Sequence, residues 1–174
     1  SIFVNTAPVL NNAGTPQLDV IPVDVLNASN QGTLLSTILT RMAPLGTITD
    51  VDAGALKGIA VVGLGGTSSG TWQYSMNNGT SWSNITTTGS ANALLLNSDT
   101  VTRVRFVPNA GFRGQVSFAF TAWDRTIGTN GATVNAGARG AATPFSLDFD
   151  YALLNVNTAP VLNNSGTPLL DPIL

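Results

Sequence analysis

The chain repeats its own beginning close to its end. Residues 4–19 read VNTAPVLNNAGTPQLD and residues 156–171 read VNTAPVLNNSGTPLLD, so fourteen of sixteen positions are identical at an offset of 152. Near-identical segments at a fixed spacing are typical of tandem arrays, in which each unit leads directly into the next. The repeat predicts one unit over residues 1–155. It predicts residues 156–174 as the start of the next unit or as a strand that docks on a neighbouring unit.

The polar residues of the chain are those of strands and turns. Charged residues make up 9% of the 174 residues, with a single lysine and neither glutamate nor histidine. Helical surfaces usually carry glutamate, lysine and arginine, whereas threonine, serine, asparagine and glycine suit strands and the turns between them. We therefore expect an all-β domain.

Three segments alternate apolar with small or polar residues at a period of two: residues 101–107, 116–123 and 145–151. This period predicts strands that bury one face. In the last segment we expect the aromatic and leucine side chains to point inward, and the two aspartates, Asp148 and Asp150, to point toward solvent.

Turn signals separate the predicted strands. Asn78 and Gly79 lie at the centre of residues 72–82 and supply the positive φ angles of a tight hairpin turn. Many short strands at this spacing favour a two-sheet sandwich with Greek-key connections. Because an immunoglobulin-like sandwich takes about 100 residues, about fifty are extra. We assign them to a short helix within residues 27–48 and to a long loop over residues 125–144, which is either functional or a flexible connector.

Several segments of the unit resemble the cadherin-like repeats of very large bacterial surface proteins and adhesins. The resemblance is carried by ITDVDAGALKGIAVVGL (48–64), GTWQYSMNNGTSWSNI (70–85), TRVRFVPNAGFRGQVSFAFTAWD (102–124) and the junction VNTAPVL. It implies an immunoglobulin/cadherin-like Greek-key β-sandwich that is associated with calcium. It also implies that such units follow one another in a long extracellular stalk or adhesin at the bacterial cell surface.

The chain departs from the family pattern by losing acidic residues. The family junction reads VNDAP, but Thr6 and Thr158 stand where its acid would be. Asn78 replaces an aspartate of the hairpin turn, Gly111 replaces an acid of the family's NADFNG stretch, and an acidic pair is reduced to Asp24. Because calcium affinity depends on the number of carboxylate ligands, these losses predict weakened or missing calcium sites.

The aspartates that remain at family-like positions are the candidate metal ligands. Asp50 and Asp52 are two residues apart, so in an extended segment their carboxylates point the same way and can converge on one hard cation. We expect Asp24 to complete this site if the helical insertion returns the chain beside residue 50, and Asp124 to face the junction between units. In the alternative interpretation, each aspartate caps backbone amides of its own turn.

Composition argues against three classes of function. A net charge of −2 without a basic cluster lacks the electrostatic signature of a nucleic-acid-binding protein. Apolar runs such as residues 59–64 are far shorter than the ~20 residues that span a bilayer, so no membrane insertion is expected. Without histidine, cysteine or glutamate the usual catalytic pairs are missing, and we expect no enzyme.

The sequence favours a mechanical function, as a structural repeat unit of an extracellular bacterial surface stalk. Two alternatives stay open. In the first, the hairpin tip near Asn78 and the loop 125–144 bind a glycan or a partner protein, with Trp82 as an aromatic platform. In the second, residues 156–174 pair as an added strand with an identical subunit, so that chains assemble into a filament.

Overall fold

The structure, a computed structural model, describes residues 4–87 and 89–158 and is built mainly of β-strands. The strands in these residues are β1 (Val9–Asn11), β2 (Ile21–Pro22), β3 (Thr33–Leu34), β4 (Thr47–Thr49), β5 (Gly58–Leu64), β6 (Gly70–Ser75), β7 (Ser83–Asn84), β8 (Ala93–Asn97), β9 (Arg103–Pro108), β10 (Gly114–Trp123), β11 (Thr133–Val134) and β12 (Phe145–Asn157). One α-helix, α1 (Leu35–Thr40), and a 3-10 helix (Ser90–Asn92) accompany them. The predicted all-β class is confirmed.

The strands form three sheets. The six-stranded sheet has the order β11-β8-β5-β10-β12-β2, the four-stranded sheet has the order β3-β9-β6-β7, and β1 pairs with β4. Neighbouring strands are antiparallel, except that β2 runs parallel to β12. Strand β2, close to the start of the unit, and β12, its last strand, therefore lie side by side and point the same way.

One hydrophobic core joins the two larger sheets. Trp72 on β6 packs against Phe106 on β9 with 5.1 Å between ring centroids, and against Phe118 on β10 with 5.4 Å. Phe118 belongs to the six-stranded sheet and the other two rings to the four-stranded sheet, so the two sheets share one interior. Burying such a ring contributes roughly 4–6 kcal/mol by its apolar area. This arrangement is consistent with a β-sandwich.

A short helix lies inside the stretch where the sequence predicts one. Helix α1 follows β3 directly and buries Leu35 and Ile38, and Met42 just beyond its end is also buried. These positions are three and four residues apart, which places them on one face toward the core. The helix occupies the connection between β3 and β4.

Residues 125–144 form a structural cover over the outer face of the six-stranded sheet, and we call them the covering loop. Strand β11 within the loop pairs with β8, and further backbone hydrogen bonds run from Leu95 N to Ala132 O at 2.9 Å and from Ala136 N to Ser90 O at 2.7 Å. Ala136 of the loop joins a second hydrophobic cluster, whose other members are Ala60, Ala93, Leu95, Trp123 and Phe145. The loop therefore serves packing, although its sequence shows no period.

The last strand turns its aromatic side chains toward solvent, and the prediction that they point inward is wrong. Leu147, Phe149 and Tyr151 are 72%, 45% and 50% exposed, whereas Leu154 lies in the core between the sheets. Phe145 is on the same outer face as the exposed residues and is buried because the covering loop lies over it. Apolar residues thus occupy both faces of β12, and alternation by itself does not identify the inner one.

Asp150 is the partly buried aspartate of β12. Its Oδ1 accepts a hydrogen bond from the backbone N–H of Tyr151 at 2.7 Å, while Oδ2 is buried without a partner among the described residues. Burial raises the pKa of Asp150 above the ordinary aspartate value. The native state therefore binds this proton more tightly than the unfolded chain, so stability falls as pH rises from the ordinary pKa through the raised one.

Two of the leucines of β12, Leu147 and Leu154, test the orientation of the strand. We expect Leu154→Ala to lower the free energy of unfolding by about 2–5 kcal/mol, because it leaves a cavity in the core. Leu147→Ala should change it by no more than about 0.5 kcal/mol. Urea unfolding of both variants measures the difference, and equal losses would contradict the orientation described here.

Asp150→Asn tests the burial of the carboxylate. At pH 7 we expect the variant to melt at a higher temperature than the unsubstituted chain, with a gain in the free energy of unfolding of no more than about 1 kcal/mol. Near pH 3, below the ordinary aspartate pKa of about 3.9, the two chains should melt at the same temperature. Asp148→Asn, at an exposed position of the same strand, is the matched control. A lower melting temperature for Asp150→Asn at pH 7 would contradict the interpretation.

Candidate functional site

Three of the four predicted metal ligands lie around one cavity. Asp50 and Asp52 follow β4, and Asp124 follows the last residue of β10. The cavity has a volume of about 200 Å³, and Asn5, Arg125 and the turn of residues 53–56 also line it. We call it the aspartate cavity.

Asp124 is held by three hydrogen-bond donors. The residue is 4% exposed, and its Oδ1 accepts bonds from the N–H of Thr126 at 2.8 Å and from the Thr126 hydroxyl at 2.6 Å. Its Oδ2 accepts a bond from Asn5 Nδ2 at 2.8 Å. Such charge-assisted bonds offset the cost of burying a carboxylate. Asp124 thereby ties the start of the described chain to the end of β10.

Asp50 and Asp52 each accept a backbone hydrogen bond. Asp52 Oδ2 receives the N–H of Thr6 at 2.8 Å, and Asp50 Oδ1 receives the N–H of Asp52 at 2.9 Å. Asp50 therefore caps an amide of its own turn, as the alternative interpretation expects, whereas Asp52 caps an amide 46 residues away in the chain. Because Asn5 binds Asp124 and Thr6 binds Asp52, two neighbouring residues of the junction motif are hydrogen-bonded to two aspartates of the cavity.

Two oxygen atoms of the cavity residues have no partner. Asn5 Oδ1 and Asp50 Oδ2 are buried and accept no hydrogen bond from the described residues. A buried acceptor without a partner costs about 1–3 kcal/mol, so each such atom in a native structure requires an explanation. Together with Asp52 and Asp124 they form a donor set made only of oxygen, which is the set that Ca²⁺ prefers.

The described residues contain no ready cluster of acidic metal ligands. Within residues 4–87 and 89–158, no three acidic side chains are placed to hold one metal ion. A calcium ion here would take fewer than three carboxylates at once, and amide, backbone carbonyl and water oxygens would complete its six to eight ligands. The cavity lining therefore offers oxygen ligands but no cluster of three acidic side chains among the described residues.

The structure does not bring Asp24 to the aspartate cavity. Asp24 Oδ1 accepts the N–H of Gly111 at 2.7 Å, just before the start of β10, whereas Asp124 follows the end of that strand. The ten residues of β10 separate the two aspartates by about 30 Å. The expected convergence fails because β2 runs along β12 and carries Asp24 to the far end of the sheet. The chain that follows, through α1, leads β4 back to the cavity but leaves Asp24 at the far end.

Asn5 lines the cavity but was not among the predicted ligands, which were all aspartates. It contributes an amide, and composition gives no reason to single out one asparagine among many. The signal was nevertheless in the sequence, because Asn5 belongs to the duplicated junction motif and recurs as Asn157.

The hairpin tip has the predicted turn, but its tryptophan is engaged. Asn78 and Gly79 have φ angles of 58° and 86°, as the Asn-Gly sequence predicts. The ring of Trp82 lies 4.0 Å from the Arg105 guanidinium, which also donates a hydrogen bond to Gln73 Oε1 at 2.8 Å. Burial lowers the pKa of Arg105. Trp82 therefore covers a buried cation with one face of its ring.

No helix in the described part of the chain is long and apolar enough to cross a lipid bilayer. No family profile, curated protein or solved structure matches this chain.

The hydrogen bonds of Asp124 are testable without any metal. In the presence of a chelator we expect Asp124→Ala to lower the free energy of unfolding by about 2–4 kcal/mol, because it leaves the donors of Thr126 and Asn5 unpaired. Asp124→Asn should lose part of this amount, since its amide nitrogen cannot accept a bond. Urea unfolding measures both, with Asp148→Ala as an exposed control. Unchanged stability of Asp124→Ala would show that these bonds are not formed.

Proposed function

We propose that this chain is a structural repeat unit of an extracellular bacterial surface stalk, adhesin or filament. In this proposal cadherin-like β-sandwich units follow one another without a linker, and a calcium ion in the aspartate cavity stiffens each junction. One observation carries the proposal: the junction motif is built into the cavity at one end of the unit, and its second copy begins within the last strand at the other end. The role is mechanical rather than catalytic.

The order of the strands supports the finer, immunoglobulin/cadherin-like part of this proposal. The chain passes between the two larger sheets five times among the described strands, from β2 to β3, β5 to β6, β7 to β8, β8 to β9 and β9 to β10. Strand β2, close to the start of the unit, lies beside the last strand, β12. Repeated crossing between sheets and a parallel pairing of the two ends are the expectations for a Greek-key unit that leads into a copy of itself.

The spacing of buried residues leaves little room for a linker. Val156 is buried in the core of this unit, and Ala7 is the first buried residue of the described chain. The counterpart of Ala7 in the second copy is Ala159, which lies outside the described residues. Only Asn157 and Thr158 separate Val156 from Ala159, a distance of about 10 Å in extended chain. Consecutive units would therefore touch.

The far end of each unit brings its own groups to such a contact. Asp24 lies there beside Gly111, and Arg113 donates a hydrogen bond from Nε to the Thr158 hydroxyl at 2.6 Å. In an array this end faces the aspartate cavity of the next unit. Asp24 would then supply a carboxylate across the junction, to a cation held mainly by the following unit.

The adhesive alternative, in which the hairpin tip and the covering loop bind a glycan or a protein, has less support. The covering loop is engaged in packing over the outer cluster, and Trp82 lies over Arg105. Neither feature argues for a ligand, whereas the two unpaired oxygens of the cavity residues argue for a cation.

A two-unit chain tests the proposed junction. Residues 1–155 followed by residues 4–158 reproduce the natural sequence across the join, because residues 4–6 and 156–158 are both Val-Asn-Thr. At ten times its dissociation constant, calcium should stabilise a unit by about 1.4 kcal/mol, or about 3–6 °C in Tm, relative to chelator. Small-angle X-ray scattering should then give a maximum dimension of about 90 Å, since each 13-residue β12 is about 43 Å long.

Matched variants separate the parts of this prediction. Asp50→Asn combined with Asp124→Asn in both units should abolish the calcium response, and Asp148→Asn should keep it. Asp24→Asn should weaken the response of the two-unit chain and leave that of the single unit unchanged. Identical melting curves with calcium and with chelator would rule out the cation site.

A further inference from the structure

The N-terminal segment, residues 4–22, lies along the edge of the fold as a strand that packs into the core. Strand β1 pairs with β4, the backbone of residues 16–18 bonds to Leu153, and β2 pairs with the end of β12. The buried residues of the segment are Ala7, Pro8, Leu10, Pro16, Leu18 and Ile21. We call the surface that receives them, formed by β4, β12 and the core beneath, the strand-binding groove.

The C-terminal copy, residues 156–174, keeps every side chain that the groove buries. Positions 7, 8, 10, 16, 18 and 21 recur unchanged at 159, 160, 162, 168, 170 and 173. The copies differ only at positions 13, 17, 20 and 22, and all four side chains are exposed in the N-terminal segment. This distribution of differences indicates that selection has kept the inward-facing side chains rather than the segment as a whole.

The polar anchors of the segment are kept as well. Asp19 accepts a hydrogen bond from Arg41 at 2.6 Å and recurs as Asp171. Val20 is replaced by Pro172, which has no N–H, but the Val20 N–H donates to no described residue and its side chain is 58% exposed. The C-terminal copy therefore fits the groove without losing a hydrogen bond at this position.

The C-terminal copy cannot enter the groove of its own molecule. The N-terminal segment starts beside Asp124 and runs parallel to β12, so that Ile21 pairs with Val156 at the far end. The C-terminal copy begins at that far end, since residue 156 is its first residue. To lie in its own groove in the same register, it would have to return along the roughly 40 Å of β12 with no residues available for the return. A groove that receives it belongs to another molecule.

We propose that the strand-binding groove of one molecule binds residues 156–174 of a second copy of this chain in place of its own residues 4–22. The binding is head-to-tail, because each molecule offers its groove and its C-terminal copy at opposite ends. This non-covalent binding goes beyond the covalent array of the proposed function. The two proposals share only the premise that residue 156 is the start of a second copy of the unit.

The balance between the two occupants depends on concentration, because the buried contacts are the same. The N-terminal segment is tethered to its groove through residues 23–32, and such a short tether gives an effective concentration in the millimolar range. At micromolar protein the original chain should therefore keep its own segment in place. Donation in trans should dominate once the N-terminal segment is disabled.

A disulfide trap tests the proposal, because the chain contains no cysteine. Gln17 lies opposite Leu153 in a parallel bridge, and Leu169 is the counterpart of Gln17 in the C-terminal copy. The test chain carries Leu10→Asp and Leu18→Asp to disable its own segment, and Leu153→Cys and Leu169→Cys to trap the donated one. In chelator and mild oxidant we expect a ladder of disulfide-linked oligomers on a non-reducing gel, with a cooperative thermal transition.

Two matched chains complete the experiment. Gln17→Cys with Leu153→Cys in the otherwise unchanged chain should form an intramolecular disulfide, which shows that this pair can be bridged. Adding Leu162→Asp and Leu170→Asp to the test chain should abolish both the ladder and the thermal transition. An unfolded or monomeric test chain, or an equal ladder after the added substitutions, would overturn the proposal. Because chelator is present throughout, failure of the calcium site cannot mimic this result.

Discussion

The antiparallel pairing of β10 with β12 is the constraint from which the rest of the architecture follows. It runs from Gly114 opposite Val156 to Trp123 opposite Phe145, and so sets the length of the unit. One end of the pair carries Asp124 and receives the junction motif, and the other carries Thr158 and Asp24. The inner face of the pair supplies the core, its outer face is divided between the covering loop and solvent, and its free edge holds the N-terminal segment.

The sequence predicted the features that depend on local chemistry. Strands β9 and β10 lie within or close to the segments of period two, the Asn-Gly turn has its positive φ angles, and α1 buries side chains at the spacing that predicted it. The orientation of β12 was missed because both of its faces carry apolar residues, and the covering loop that decides between them has no period of its own. Phe145 is buried in one cluster with Ala136 of the covering loop, an association that no local pattern indicates.

The candidate site shows the same division between local and long-range information. The D-x-D spacing of Asp50 and Asp52 was visible in the sequence, and Asp124 was predicted from its place at a strand end. Asn5 comes to the cavity through hydrogen bonds that span 119 residues to Asp124 and 138 to Thr143. Asp24 went to the other end because a parallel pairing, which sequence patterns do not specify, sets the direction of β2. The spacing of residues along the chain predicted the candidate residues that local geometry positions. The pairing and register of the strands determined where the other candidate residues lie.

The parallel arrangement of β2 and β12 also determines how the unit responds to tension. In the proposed array, a pull would act on residue 4 at one end and on residue 158 at the other, so the N-terminal segment and β12 would be drawn in opposite directions along their common length. The hydrogen bonds between residues 16–23 and residues 153–157 lie across that direction and are loaded together in shear rather than opened one after another. The rate of forced unfolding is set by the barrier to the first rupture. Because these hydrogen bonds carry the force and must break together, their joint rupture forms that barrier.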